Sequence, residues 1–357
     1  MLLRKRFCFP VGVSVCVIAI VKLLADILQP HVMTGRSKHA PAAELPVDCL
    51  ESNICRMAIQ DGVVIYSYTR HYDFYHQLNQ RVNYNVNITN DHDVVPRIVH
   101  LVWVNEKGVE FQFFQLLTMM AIQRHVQPLR IYFWHNNLPQ GHYWRQAIAT
   151  INNLYFVYRK RVTQIYGRKI LRGIHVSDII RMEALMEYGG MYFDFDSVVV
   201  NPVDPLLKYD VVMGHEEWYI LANGMMFCKP WSDFFRVWYP RYATFNNDFQ
   251  THSNIIPNII SLRRPNLIHI EEVSLCKPNY KTRQYLFEEG MLWDWRRDNY
   301  VIHLYILAYT HAGYEAMTPE NIKYMNTTIG EVTRYIYYGD SKLWGVRPLP
   351  MRKTSSP

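Results

Sequence analysis

The stretch RIVHLVWV at residues 97–104 is apolar at nearly every position, and that narrows the fold at once. A strand with one wet face alternates. A run apolar at both parities suits a strand covered on both sides, as in a parallel sheet flanked by helices. The next fifty residues agree: 111–125 read as a helix and Leu129 to Trp134 as a second strand, then 142–149 as a helix and Tyr155 to Tyr158 as a short strand. Strands alternating with helices, with no internal repeat, predict an α/β fold with a mainly parallel sheet. At 357 residues the chain has material for one large domain or two small ones.

The segment most suggestive of chemistry is GGMYFDFDSVV at 189–199. In an extended chain Tyr192, Asp194 and Asp196 share one face, and Met191, Phe193 and Phe195 the other. The apolar side can then anchor in a core while both carboxylates emerge together. Upstream, Ser177 is placed to cap a helix running to Tyr188, which Gly189 ends. On that helix Asp178 and Arg181 share a face, with Ile179, Met182 and Met186 forming an apolar stripe on another. In open α/β sheets ligands collect at the carboxyl ends of strands, so the pair is well placed. Paired carboxylates suit Mn²⁺ or Mg²⁺, ions that typically bridge to substrate phosphates. The chain carries its own control in Asp91-His92-Asp93, the same spacing in a polar segment with no strand before it. That instance reads as a loop.

The N-terminus predicts a compartment. Arg4, Lys5 and Arg6 precede an apolar run from Phe7 to Val21, and Lys22 can snorkel or pair with Asp26 to lengthen it to Leu28. With no clear small-x-small cleavage site, residues 1–29 read as a cytosolic tail and uncleaved transmembrane signal anchor; a cleaved signal is the alternative. The anchor predicts a single-pass type II protein, luminal beyond it. Residues 30–93 read as a stem, 94–345 as the catalytic domain and 346–357 as a tail. Asn87-Ile88-Thr89 and Asn326-Thr327-Thr328 are glycosylation acceptors in that compartment. Beyond the anchor stand Cys49, Cys55, Cys228 and Cys276; proximity suggests pairing within the first two and within the last two, unless some are buried thiols. A formal charge of +7, mostly dispersed, does not indicate a nucleic-acid partner.

The stretch VSDIIRMEALMEYGGMYFDFDSVVVNPVDPLL resembles the D-x-D glycosyltransferases that include α-1,4-galactosyl-, α-1,4-N-acetylglucosaminyl- and initiating α-1,6-mannosyltransferases. Asp178, Arg181, Tyr188 to Gly190, Tyr192, Asp194, Asp196, Pro202 and Asp204 match in order. VPRIVHLVWV at 95–104, with Trp103, resembles the opening strand, and LANGMMFCKPWSDFF at 221–235 the Asn-Gly segment. The resemblance, over roughly residues 94–310, implies a GT-A-type nucleotide-sugar-binding fold. It also implies metal-dependent retaining transfer of a hexose or N-acetylhexosamine from a nucleotide-sugar donor, UDP-linked by preference, to a glycan or glycolipid acceptor at the Golgi membrane. On that mapping Asp196 binds Mn²⁺ (or Mg²⁺), and Asp194 contacts the donor and shares the metal. Asp178 and Arg181 hold sugar hydroxyls, Trp103 stacks on the base, and Tyr192 and Asn223 belong to the donor site. His303, in His-Leu-Tyr where relatives often have His-Leu-Trp, is the further metal ligand, with His311 the alternative.

The residues alone keep blander readings open. Trp103 also suits a core aromatic, Asp178 the acidic start of a helix, Asn223 a tight turn, and His303 a hydrogen-bonded core histidine. Arg159, Lys160, Arg161, Arg168, Lys169 and Arg172 suit a solvated face as well as an anion site. Two rival functions remain. MYFDFDSVV also fits a haloacid-dehalogenase-type phosphatase with Asp194 as nucleophile, although α/β pattern precedes it and no downstream Gly-Asp-x-x-x-Asp follows. A catalytically silent carbohydrate-binding homologue is the other.

Overall fold

The computed structural model describes residues 56–60, 63–67, 93–306 and 317–345. The expected anchor, most of the stem, Cys49, Cys55, the Asn87 acceptor, Asp91 and His311 lie outside these residues. Among the described residues no helix is long and apolar enough to cross a membrane.

In chain order the strands are β1 (Arg56–Gln60), β2 (Val63–Ser67), β3 (Ile98–Trp103), β4 (Arg130–His135), β5 (Leu154–Tyr158), β6 (Gln164–Ile165), β7 (Arg168–Lys169), β8 (Gly190–Phe193), β9 (Ser197–Val199), β10 (Val211–Glu217), β11 (Ile220–Cys228), β12 (His269–Glu271) and β13 (Val301–His303). The helices that bear on the cores and the site are α1 (Phe113–His125), α2 (His142–Thr150), α3 (Gly173–Tyr188), α4 (Asp233–Trp238), α5 (Ile256–Arg263) and α6 (Thr328–Tyr338). Nine strands form one sheet in the order β1-β2-β5-β4-β3-β8-β11-β10-β12. Only β2 and β11 run against the others, so the sheet is mainly parallel in direction.

Side-chain parity decides which face each residue serves. Odd-numbered Val99, Leu101, Trp103, Ile131, Phe133, Met191, Phe193, Met225 and Phe227 join one core with α1, α2 and α6. Even-numbered Val102, Tyr192, Met226 and Cys228 join a second core with α3 and α4 on the opposite face. This two-sided burial is why RIVHLVWV is apolar at both parities. It also keeps the two described cysteines apart: Cys228 and Cys276 are buried free thiols in opposite cores, so their expected disulfide does not form.

Strand β3 starts the parallel block; β4 and β5 extend it to one side, and β8 adds on the other. The order reverses between β3 and β8, and in open α/β sheets a crevice opens outside the carboxyl ends at such a switch point. Hairpin β1–β2 pairs onto β5, which brings residues 56–60 and 63–67 of the expected stem onto the sheet. Pairing satisfies the main-chain groups that an edge at β5 would leave open.

The turn into β8 needs both of its glycines. Gly189 has φ +63° and Gly190 φ +103°, and a Cβ on Gly190 would drive into the Ile98 carbonyl oxygen. Buried His100 fixes the same turn: its Nε2 donates to the Gly189 carbonyl (2.8 Å), and its Nδ1 accepts from Trp134 Nε1 (3.1 Å). Burial pushes the His100 pKa down to about 4, so the ring is neutral in this tautomer. Gly190→Ala is expected to destabilise the fold by about 2–4 kcal/mol, read as a lower urea midpoint at unchanged slope.

Candidate active site

Strand periodicity predicts both aspartates on one strand. Instead β8 stops at Phe193 and Asp194-Phe195-Asp196 is a turn, closed by the Ser197 N–H donating to the Asp194 carbonyl (3.0 Å). The Asp194 N–H donates to the Gly224 carbonyl on β11 (2.7 Å). The chain then leaves the main sheet as β9, which pairs with β13. The carboxylates therefore converge because a turn brings them together, not because a strand alternates. The apolar side of the pattern does hold: Phe195 packs edge-on against Trp103 and Phe111, and its carbonyl accepts from the Thr118 hydroxyl (2.8 Å). The core thus grips the residue between the two acids.

Pairing of β9 with β13 puts His303 opposite Ser197, and the Leu304 N–H donates to the Asp196 carbonyl (2.8 Å). His303 Nε2 lies 3.2 Å from Asp196 Oδ1, and the Ile306 N–H donates to Oδ2 (3.2 Å). One ligand atom from each of Asp194, Asp196 and His303 falls within 4.8 Å of the others. Burial by itself would lower the His303 pKa, but Asp196, by charge and hydrogen bond, with Asp194 and Glu216, raises it to about 9. Asp196 shows the reverse: burial opposes its ionisation, yet His303 and the main-chain donors hold it below the usual range. Asp194 is pushed up by burial, with the Asp196 charge adding to this and Arg181 as the main opposing influence. Two acids and an imidazole this close, with the metal-free cluster holding together through a charged histidine, form a donor set suited to a divalent ion.

Helix α3 begins at Gly173, so Ser177 lies inside it and does not cap it. The Ser177 hydroxyl instead accepts from Arg181 Nη2 (2.9 Å), and its carbonyl accepts from Nε (3.3 Å). Arg181 Nη1 donates to the Asn223 carbonyl (2.9 Å), Nη2 lies 3.1 Å from Asp194 Oδ1, and the guanidinium sits 4.2 Å from the centre of the Tyr192 ring. Asp178 is buried in the second turn, not at the helix start, and accepts from the Asn223 amide (2.8 Å). Tyr192 is buried beneath the site and donates its hydroxyl to Asp194 (2.5 Å). Asn223 lies within β11 rather than in a turn. The surface-pair and turn readings of these residues do not fit.

These groups line a cavity of about 730 Å³ at the switch point, together with Val102, Val104 and Asn105 from the end of β3. Two expected donor-site residues do not reach the cavity: Tyr192 lies beneath it, and Trp103 is 2 % exposed in the odd-parity core, while its opposite-parity neighbours Val102 and Val104 line the wall. Sequence reasoning also missed residues that the cavity uses. Glu216, at a β10 bulge, lines it with its carboxyl pushed up by burial. Gly224 leaves room for the acids, since a Cβ there would stand 2.7 Å from Asp194 Oδ2 and 3.3 Å from His303 Cε1. The Asn-Gly pair was the available signal, but it pointed to Asn223 as a donor-site or turn residue and not to the space that Gly224 leaves. Gly224→Ala is expected to reduce Mn²⁺ affinity about tenfold or more, with little change in melting temperature, as seen by metal titration.

Fold and site define an α/β protein with a D-x-D turn and a histidine in a cavity at the strand ends. Residues 113–213 match the family described as the glycosyltransferase sugar-binding region containing a DXD motif. That span includes Asp178, Arg181, Asp194 and Asp196, and stops short of Asn223 and His303. Glucan organizing enzyme 1 of Cryptococcus neoformans var. grubii serotype A is 27% identical over 194 residues, covering 50% of this chain and 52% of that protein. The chain thus spans about half the length of that curated relative. Solved structures with some similarity include the galactosyltransferase LgtC in complex with donor and acceptor sugar analogues (12% identity, 69% of this chain, 96% of that chain, TM-score 0.41). The PaToxG glycosyltransferase is another (12% identity, 53% and 78%, TM-score 0.36).

Proposed function

We propose that this protein is a metal-dependent retaining glycosyltransferase. It moves a hexose or N-acetylhexosamine from a nucleotide-sugar donor, UDP-linked, to a glycan or glycolipid acceptor. The observation that carries this reading is the convergence of Asp194, Asp196 and His303 in a cavity whose other wall, Asp178 and Arg181, lies in the same family-matched span.

In this reading Asp196 and His303 hold Mn²⁺ (or Mg²⁺), with Asp194 shared between metal and donor. The metal, when bound, supplies positive charge to the departing diphosphate. The protein's own groups do the rest. Arg181, its donors engaged by Ser177, Asn223 and Asp194, fixes the angle of Asp194 and the position of Asn223. Tyr192 holds Asp194 from below, and Asp178, with Asn223, faces the sugar hydroxyls. Such groups, already in place before the donor arrives, need no reorganisation as charge develops. In the phosphatase alternative Asp194 would have to attack through Oδ2, since Oδ1 is committed to Arg181 and Tyr192.

The purified chain should hydrolyse at least one nucleotide sugar slowly when Mn²⁺ is present, and product NMR should show the donor's anomeric configuration retained. Release of inorganic phosphate from a phosphomonoester, with no sugar released from any donor, would sink the proposal. The type II topology is part of the same reading and is motivated by the N-terminal basic-apolar sequence. In sealed microsomes the catalytic domain should resist added protease; full digestion would contradict luminal placement.

A further inference from the structure

Six cations precede α3, and the structure sorts them into committed and free. Arg159 donates to Glu183 (2.8 Å), and Arg168 to the carbonyls of Ala243 (2.6 Å) and Phe245 (3.4 Å). Arg161 lies at the cavity edge, 3.6 Å from exposed Glu106 and 3.6 Å from where a Cβ on Gly173 would stand. Lys160, Lys169 and Arg172 are exposed and have no acid or carbonyl partner among the described residues. Parity in the β6–β7 hairpin explains the division. Ile165, which is buried, pairs with Arg168 on one face of the hairpin, where the exposed Arg168 side chain reaches the Ala243 and Phe245 carbonyls, and Gln164 and Lys169 share the other face.

The same lip carries apolar side chains that a solvated basic face would not need. The Leu171 N–H donates to Asn247 Oδ1 (2.9 Å) and the Asn247 amide donates to the Lys169 carbonyl (2.9 Å), stitching this stretch to the loop that leads to Phe249. Leu171, Ile174 and Phe249 are 65%, 42% and 50% exposed, and the last two line the cavity. Single exposed apolar residues are ordinary, but three beside the unpaired Lys169 and Arg172, which flank Leu171 in the chain, form an amphipathic surface at the rim of the cavity. Among the described residues, the acids flanking this lip are Glu106 and Asp248, and Asp248 already accepts from Gln250 and Thr251. The lip is net positive.

We infer that this lip seats the acceptor, and that the acceptor carries an anionic group beside an apolar moiety, the chemistry of an acidic glycolipid. The inference rests on reading the cavity as a glycosyl-donor site. The free cations bind the anion, and Leu171, Ile174 and Phe249 cover the lipid part where it meets the sugar, leaving the sugar hydroxyl to enter the cavity.

The test uses the full chain in neutral detergent micelles doped with galactosylceramide or with its 3-sulfate, two lipids that differ only by the anion. Binding to the sulfate is expected to be about tenfold tighter at low salt, with the preference shrinking as salt is raised. A Lys160→Gln, Lys169→Gln, Arg172→Gln variant should lose the preference, while Leu171→Ser should weaken both lipids alike. Equal binding of the two lipids by the wild type would overturn the inference. So would phosphatidylserine binding as tightly as the sulfate, which would mean a charged surface is read without a sugar. Water-soluble galactose 3-sulfate matching the lipid would remove the apolar half of the claim. Stabilisation by Mn²⁺ and UDP is measured on the same samples and should be unchanged in the triple variant. If the wild type lacks it, the donor-site reading fails separately, and a sulfate preference then marks a lipid site with no acceptor role.

Discussion

Asp196→Asn is expected to lower sugar transfer by about 10²–10³-fold while leaving the domain folded. The substitution keeps side-chain volume but removes the charge that holds a divalent ion. Its effect on the metal-free protein is muted by two opposing changes. His303 loses its ion partner 3.2 Å away, and Asp194 loses a like-charged neighbour. The variant should therefore melt within a few degrees of metal-free wild type. Its response to ligands should differ sharply. Mn²⁺ and UDP at about 100 times their dissociation constants stabilise a folded protein by about 2.7 kcal/mol, roughly 5–10 °C at this size. Wild type is expected to show that gain in a thermal scan and Asp196→Asn to lose most of it. Normal transfer with the gain intact would remove Asp196 from the metal site.

The second large effect falls on stability. Arg181→Met is expected to cost about 3–5 kcal/mol at pH 7.5, because it strips Asp178 and Asp194 of the guanidinium they share and leaves the His303 charge, already paired with Asp196, to offset Asp194. Against a typical total of about 5–15 kcal/mol this is a large share. The pH dependence follows from the sign of the shift. The Asp194 carboxyl already sits above its ordinary value of 3.8 through burial, with Arg181 the main opposing influence. Without Arg181 it rises further, so the folded variant binds its proton more tightly than the unfolded chain does. Folding stability then falls as pH rises through the shifted pKa and is regained on acidification. Urea melts should show a gap from wild type that is widest at pH 7.5 and narrower near pH 5. A pH-independent gap would point to lost packing against the Tyr192 ring instead. Arg181→Lys keeps the charge without the fork of donors and should fall between the two.

Much of this protein was legible in the chain because local physics wrote it there. Period-two burial on both sheet faces made RIVHLVWV apolar throughout, and strands alternating with helices announced the parallel block. The paired glycines marked a turn that no residue with a Cβ can make, and the two acids after an apolar strand marked the site. Other features depended on where distant segments land. That Asp194 and Asp196 meet through a turn was set by β9 leaving the sheet to pair with β13, and the same pairing chose His303 from 107 residues away. Trp103 went to the core because sheet parity, which cannot be assigned to a face before α1 packs, outweighed its place in a familiar motif. Cys228 and Cys276, close enough in sequence to suggest a bond, ended in opposite cores with a sheet between them. Periodicity, turn chemistry and charge are determined by sequence alone, since those act between near neighbours; long-range pairing decides which of these groups share a site.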